Sequence, residues 1–155
     1  MDLIVNLYQE KLITNQPKLK DDNIIIKRLL SPNSDLLVEF VTNNFNKGWA
    51  SEIKAAIYKP NPTCLIAIKD HEIIGFACYD ATALGYFGPT GVNPKYRGLN
   101  VGHNLLFETL KKMKDKGYGY AIIGGGKITS FYGKYLDIII STDKNNLYNR
   151  MIKNK

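Results

Sequence analysis

The sequence predicts an α/β chain of the α+β kind, with a mixed, mostly antiparallel central sheet of about six strands flanked by helices. Three observations predict it. Short apolar, β-rich runs recur at 24–30, 64–68, 73–78, 81–92, 118–123 and 136–141. Helical periodicity separates them irregularly, so the order β, α, α, β, β, β, α, β, α, β is not the regular alternation of a doubly wound parallel sheet. The second and third runs lie so close together that only a hairpin connects them.

Residues 1–13 read as a weak helix, because Leu3, Ile4, Leu7, Tyr8 and Leu12 fall at helical spacing. Residues 15–23, with Pro17, read as a linker. The first strand, 24–30, leads into Ser31-Pro32, a cap followed by a proline at the first helical position. Leu36, Leu37, Phe40, Val41 and Phe45 then mark a helix face that ends at Asn46-Lys47-Gly48. A second helix spans 49–58 with Ile53, Ala56 and Ile57, and Pro60 and Pro62 stop it. The hairpin turns at Lys69-Asp70-His71-Glu72, with no readable register. In 81–92, Gly88 and Pro89 imply a bulge or a sheet edge. The strongest helix is 99–116, striped by Leu99, Leu106, Leu110 and Met113 and terminated by Gly117. A buried strand at 118–123, a short helix at 129–135 and a strand at 136–141 complete the core. The polar tail offers Leu147, Tyr148, Met151 and Ile152 as anchors. The 155 residues thus divide into an N-terminal helix and linker (1–23), a core (24–141) and a tail (142–155) of one domain.

Hydrophobic residues make up 45% and charged residues 23%, which is enough apolar content for a core without staples. No apolar run approaches membrane-spanning length, and residues 1–13 lack a signal peptide's basic start and cleavage site, so a cytoplasmic protein with no membrane partner is expected. Cys64 and Cys78 each sit in an apolar run without Cys-x-x-Cys spacing, so buried reduced thiols are expected and no metal site. A nucleophilic Cys78 is the sharper alternative. The net charge of +7 suits anionic partners. Its main cluster, Lys111, Lys112, Lys114 and Lys116, interleaves with apolar positions as a solvated helix face does. No nucleic-acid-binding motif accompanies it, so no nucleic-acid partner is expected.

The stretch from Phe87 to Met113 organises the chain. A strand ends at Val92, a turn follows at Asn93-Pro94, and a loop with one Arg and two glycines opens the best helix. Strand, glycine-bearing loop and helix N-terminus together make a phosphate-holding arrangement, because the first helical amides lack internal partners and carry partial positive charge. Tyr96-Arg97-Gly98-Leu99-Asn100-Val101-Gly102 resembles the acetyl-CoA signature of the GNAT N-acetyltransferase superfamily: Gln or Arg, two residues, Gly, one residue, Gly or Ala. Arg97 and Gly102 match, and Asn100 stands in place of the middle Gly. Asn accepts positive φ better than other common non-Gly residues. Residues 48–52, 74–80 and 87–92 are also similar in wording to a group of bacterial GNAT proteins.

The resemblance implies a GNAT fold, acetyl-CoA as co-substrate and transfer of acetyl to a primary amine, of a small molecule or a peptide. It implies that Thr90, Gly91 and Val92 hold the pantetheine arm through their backbone. Arg97, Gly98, Leu99, Asn100, Val101, Gly102 and His103 would cradle the pyrophosphate. Tyr132, in the Phe131–Tyr135 segment that resembles the family's Tyr-bearing helix, takes the general-acid position, with Tyr135 as the lesser candidate. Glu52 or Asp80 would serve as base, and Glu52 flanks the acceptor side. Trp49, Tyr79, Tyr86 and Phe87 gather there, and two or more of them lining a cleft would suit an aromatic or cationic acceptor. His71 and His103 are expected at exposed structural positions. The N-terminal helix and basic tail could support a homodimer. A non-catalytic acetyl-CoA-binding module is the alternative reading. Gly124-Gly125-Gly126-Lys127-Ile128-Thr129 fails as a nucleotide loop, because Ala121 and Ile128 stand where that motif requires Gly and Ser or Thr.

Overall fold

The computed structural model describes residues 1–125 and 129–152. Gly126, Lys127 and Ile128 of the glycine-rich connection and Lys153 and Lys155 of the basic tail lie outside the described residues.

Seven strands form among them. These are β1 (Asp2–Asn6), β2 (Ile25–Arg28), β3 (Cys64–Lys69), β4 (Glu72–Tyr79), β5 (Phe87–Val92), β6 (Tyr120–Ile123) and β7 (Ile139–Ser141). They build a four-stranded sheet, β2–β3–β4–β5, and a three-stranded sheet, β6–β1–β7. Every ladder is antiparallel, and a parallel bridge between Tyr86 and Ile122 joins the two sheets. The helices are α1 (Lys11–Thr14), α2 (Ser34–Asn44), α3 (Lys47–Glu52), α4 (Lys54–Ile57), α5 (Val101–Lys116) and α6 (Thr129–Tyr132).

The N-terminus corrects the sequence reading. Leu3, Val5 and Leu7 are buried with period two, and β1 pairs on one side with β6 and on the other with β7. Apolar residues at 3, 4, 7, 8 and 12 fit a helix as well as a strand, and the distant partners decide the outcome. The segment is therefore the middle strand of a sheet and part of the core; only α1 is helical. It also supplies a seventh strand beyond the six anticipated.

Other boundaries moved for local reasons. The anticipated second helix breaks at Ile53 into α3 and α4, and Asn46 caps α3 by accepting from Trp49 N–H at 2.8 Å. Ser31-Pro32 opens a 3₁₀ turn rather than α2 itself. The strand expected at 81–92 shortens to β5, an edge of its sheet opposite a register shift between Ala77 and Tyr79, so the bulge and the edge that Pro89 implied both occur. Leu99 precedes α5, which runs from Val101 to a left-handed Gly117. The hairpin closes on Asp70 and His71, both at positive φ, which is the two-residue turn that follows strand twist.

Alternation along the four-stranded sheet, shifted by one at Ile74 where the β3–β4 register slips, separates two cores. Leu65, Ala67, Ile74 and Ala77 pack on one side with Val101, Leu105 and Leu106 of α5. Cys64, Ile66, Phe76 and Cys78 pack on the other with Leu37, Val41, Ile53 and Ile57. Cys64 lies directly opposite Cys78 across β3 and β4. Both thiols are free and buried, and burial, reinforced by the neighbouring Cys64, pushes the Cys78 thiol well up. That environment suppresses the thiolate a nucleophile needs.

Candidate active site

Beyond the Tyr86–Ile122 bridge, β5 and β6 share no ladder. A cavity of about 860 Å³ opens there. Asn93 N–H donates to Ile74 O, and amides alternate edges along an antiparallel strand. The amides of Val92 and Thr90 therefore point away from β4, at the edge that borders the cavity. Gly91 has a different duty: a Cβ there would run into the Phe45 ring.

The loop after β5 is built for close approach. Asn93 caps the 3₁₀ turn Pro94–Tyr96 by accepting from Lys95 N–H at 3.0 Å. Gly98 takes φ +82°. Asn100 takes φ +65° and ψ 21°, the left-handed conformation that the middle glycine of the signature would otherwise supply. Its side-chain amide donates to Lys18 O at 2.8 Å, which ties the loop to the N-terminal linker. The first helical bond runs from Asn104 N–H to Asn100 O at 3.1 Å. The amides of Val101, Gly102 and His103 therefore precede the ladder, at the positive end of α5. Of the ten residues anticipated around the cofactor, nine line the cavity; Leu99 does not, because it packs against the core.

His103 is not the exposed position that the sequence suggested. Its ring stacks on Phe131 with centroids 4.1 Å apart, and its Nε2 lies 2.9 Å from Phe131 O. Burial lowers its affinity for a proton, against a smaller opposing effect of that hydrogen bond. Phe131 also closes over Gly102, where a Cβ would come within 3.3 Å of its ring. The N-terminus of α5 thus clamps α6, which presents Tyr132.

Tyr132 lines the cavity, edge-on to Phe131 at 5.1 Å and to Phe87 at 6.2 Å. Its hydroxyl has no protein partner among the described residues, and burial pushes its pKa up to about 12. Tyr135 packs edge-on to His103 at 4.9 Å and does not line the cavity.

Glu52 reaches the cavity from the end of α3. Thr82 Oγ1 and Tyr148 OH both donate to its Oε2, the latter at 3.0 Å, and the two hydroxyls lie 3.1 Å apart. Burial, with the Glu52 carboxylate contributing, pushes Tyr148 up to about 12, so it remains a donor at neutral pH. Neither Thr82 nor Tyr148 was assigned a site role from the sequence. They stand 30 and 96 residues from Glu52, and no local pattern connects them.

Asp80 belongs to a different structure. It is 8% exposed and takes φ +55°. Its Oδ1 accepts from Gly85 N–H and Tyr118 OH, each at 2.8 Å, and its Oδ2 from Lys116 Nζ at 2.5 Å. Burial raises the carboxyl's pKa, but the three hydrogen bonds outweigh it and hold the group below its ordinary value. With every close partner a donor and no place on the cavity wall, Asp80 anchors the 81–86 loop rather than acting as a base. Of the four anticipated aromatics, Trp49 and Phe87 line the cavity; Tyr79 and Tyr86 do not.

The family model for the GNAT acetyltransferases matches residues 30–126. The chain belongs to the GNAT acetyltransferase family. No curated protein sequence matches it. Among solved structures it is similar to the GCN5-related glucosamine N-acetyltransferase region of a fungal GH3 β-N-acetylglucosaminidase, with a TM-score of 0.67 and 16% identity over 89% of this chain and 19% of that one. It is also similar to a GCN5-related N-acetyltransferase from Sphaerobacter thermophilus (TM-score 0.58, 18% identity, 79% of this chain and 40% of that one). A GNAT acetyltransferase from Brucella melitensis in complex with acetyl-CoA gives a TM-score of 0.56 at 17% identity, over 73% of this chain and 83% of that one. At these identities the likeness is one of fold. The chain spans about a fifth of the fungal protein (19%) and less than half of the Sphaerobacter one (40%).

Proposed function

We propose that this GNAT protein transfers acetyl from acetyl-CoA to a primary amine. The observation that carries the reading is convergence: the α5 amides that precede its hydrogen-bond ladder, the open edge of β5, Tyr132 and Glu52 all border one cavity. Acetyl-CoA supplies an activated acyl group and a stable leaving thiolate. The amides of Val101, Gly102 and His103, together with Arg97, suit its pyrophosphate. The outward amides of Thr90 and Val92 suit the pantetheine arm, and one of them the thioester oxygen as charge develops there.

In this reading Glu52 takes a proton from the acceptor ammonium. The free amine attacks the carbonyl carbon, an N–C bond forms and the C–S bond breaks. Tyr132 gives its proton to the departing thiolate, and the second proton lost by the amine returns to Tyr132 through solvent. A phenol near 12 is fully protonated at neutral pH, as this role requires.

Tyr132→Phe tests it. The variant should lose about 10²-fold or more in kcat while keeping acetyl-CoA affinity, measured by calorimetry. Unchanged kcat removes Tyr132 from the mechanism. Acetyl-CoA binding with no turnover of any amine would favour a non-catalytic binding module.

A further inference from the structure

We infer that the acceptor is a monoamine, a single primary ammonium on an aromatic or apolar body, seated on Glu52 Oε1 against the rings of Trp49 and Tyr148. The inference rests on the acetyl-transfer reading above and narrows it.

Charge count comes first. Among the described residues lining the cavity, Glu52 is the sole carboxylate, and Arg97 is matched to the pyrophosphate rather than to the acceptor. A polyamine or an aminoglycoside brings several ammonium groups into the same space. One would meet Glu52, and the rest would lose water without gaining a counter-charge.

The geometry of the carboxylate agrees with that count. Both hydroxyl donors converge on Oε2, and Oε1 accepts no hydrogen bond among the described residues. One oxygen is held and the other is open, which accommodates one ammonium and orients it. Tyr148 and Thr82 are positioning residues in this scheme, acting through Glu52.

The walls supply the rest. Trp49 is fixed by Phe45 at 5.3 Å and Phe76 at 6.3 Å between ring centroids, so its exposed face is pre-ordered. Tyr148 lies over Gly124, where a side chain would collide with its ring. Preformed aromatic faces beside one carboxylate bury an apolar body and attract an adjacent ammonium.

The test compares phenethylamine, spermidine and kanamycin as acceptors with the full chain, by release of CoA thiol. Acetyl-CoA binding is followed separately through the fluorescence of Trp49, the sole tryptophan. Phenethylamine should show kcat/KM about tenfold or more above the other two. Tyr148→Phe should raise the KM for phenethylamine about tenfold, with a much smaller change in kcat and unchanged acetyl-CoA affinity, a split that mere loosening of the tail would not give. Equal or better turnover of spermidine or kanamycin overturns the monoamine inference and leaves acetyl transfer standing. Acetyl-CoA binding without turnover of phenethylamine overturns it as well. Absence of acetyl-CoA binding overturns both.

Discussion

Replacing Asp80 separates the parts of the clip that holds the 81–86 loop. In Asp80→Asn the retained Oδ1 still accepts from Gly85 and Tyr118, and Asn tolerates the left-handed backbone. Only the Oδ2 contact to Lys116 is lost, and that side chain, 47% exposed, can turn into water. The cost should be about 1–2 kcal/mol. Asp80→Ala removes all three bonds and leaves the Gly85 N–H and Tyr118 OH without their acceptor. Breaking a buried, hydrogen-bonded charge costs about 3–5 kcal/mol, and the exposed Lys116 puts this case at the lower end. Forcing Ala into φ +55° adds about 1 kcal/mol. At about 2–4 °C per kcal/mol for a chain of this size, Asp80→Asn should lower Tm by a few degrees and Asp80→Ala by about 8–16 °C at pH 7. Because the folded carboxyl lies below its ordinary 3.8, its contribution is complete above that value and lost as pH falls through the lowered one. The Tm gap between wild type and Asp80→Asn, read by differential scanning calorimetry, should therefore begin to narrow only below about pH 4 and close once pH passes the lowered value. Asp80→Ala melting within about 2 °C of wild type would refute the reasoning.

Three further outcomes follow from the packing. Gly91→Ala should cost about 1–3 kcal/mol by pressing on Phe45, and denaturant melts should show less cost in a Phe45→Leu background. Burial holds His103 below its ordinary 6.5, so the stability it contributes is complete above that pH and lost as pH falls below it. Melting curves at pH 7.5 and 5.5 should fall less for His103→Gln than for wild type, and parallel declines would exclude the stack as the cause. Cys64 and Cys78, at 1% and 0% exposure, should resist an aromatic disulfide reagent in the folded chain and react after unfolding in guanidinium; fast labelling of the native protein would reopen a chemical role for Cys78.

Signals confined to a few neighbouring residues were legible in the sequence. The period of α5, Gly117 at its end, the turn at Asp70-His71 and the irregularity at Gly88-Pro89 each arise from the backbone preferences of the residues concerned, and the structure carries them all. The loop from Arg97 to His103 was visible through its resemblance to the GNAT signature, which sets particular residues at particular spacings. Asn100 shows why a departure from the signature still folds: the requirement is for positive φ, which Asn meets, and its amide finds an acceptor in Lys18.

Pairings over long sequence distance were not legible. The strand character of Asp2–Asn6 depends on partners at 120–123 and 139–141, which override an apolar spacing that also fits a helix. Whether Asp80 or Glu52 faced the cavity depended on which donors the fold would deliver to each carboxylate. Asp80 meets Gly85, Lys116 and Tyr118, while Glu52 meets Thr82 and Tyr148. The sequence by itself determined α5, the turn between β3 and β4 and the glycine-bearing loop before α5, because short-range sterics and hydrogen bonding act within one turn of chain. Tertiary structure alone decided the division into two sheets, the central place of β1 and the tie between Tyr148 and Glu52, because a hydrogen bond spanning 96 residues leaves no mark on either neighbourhood.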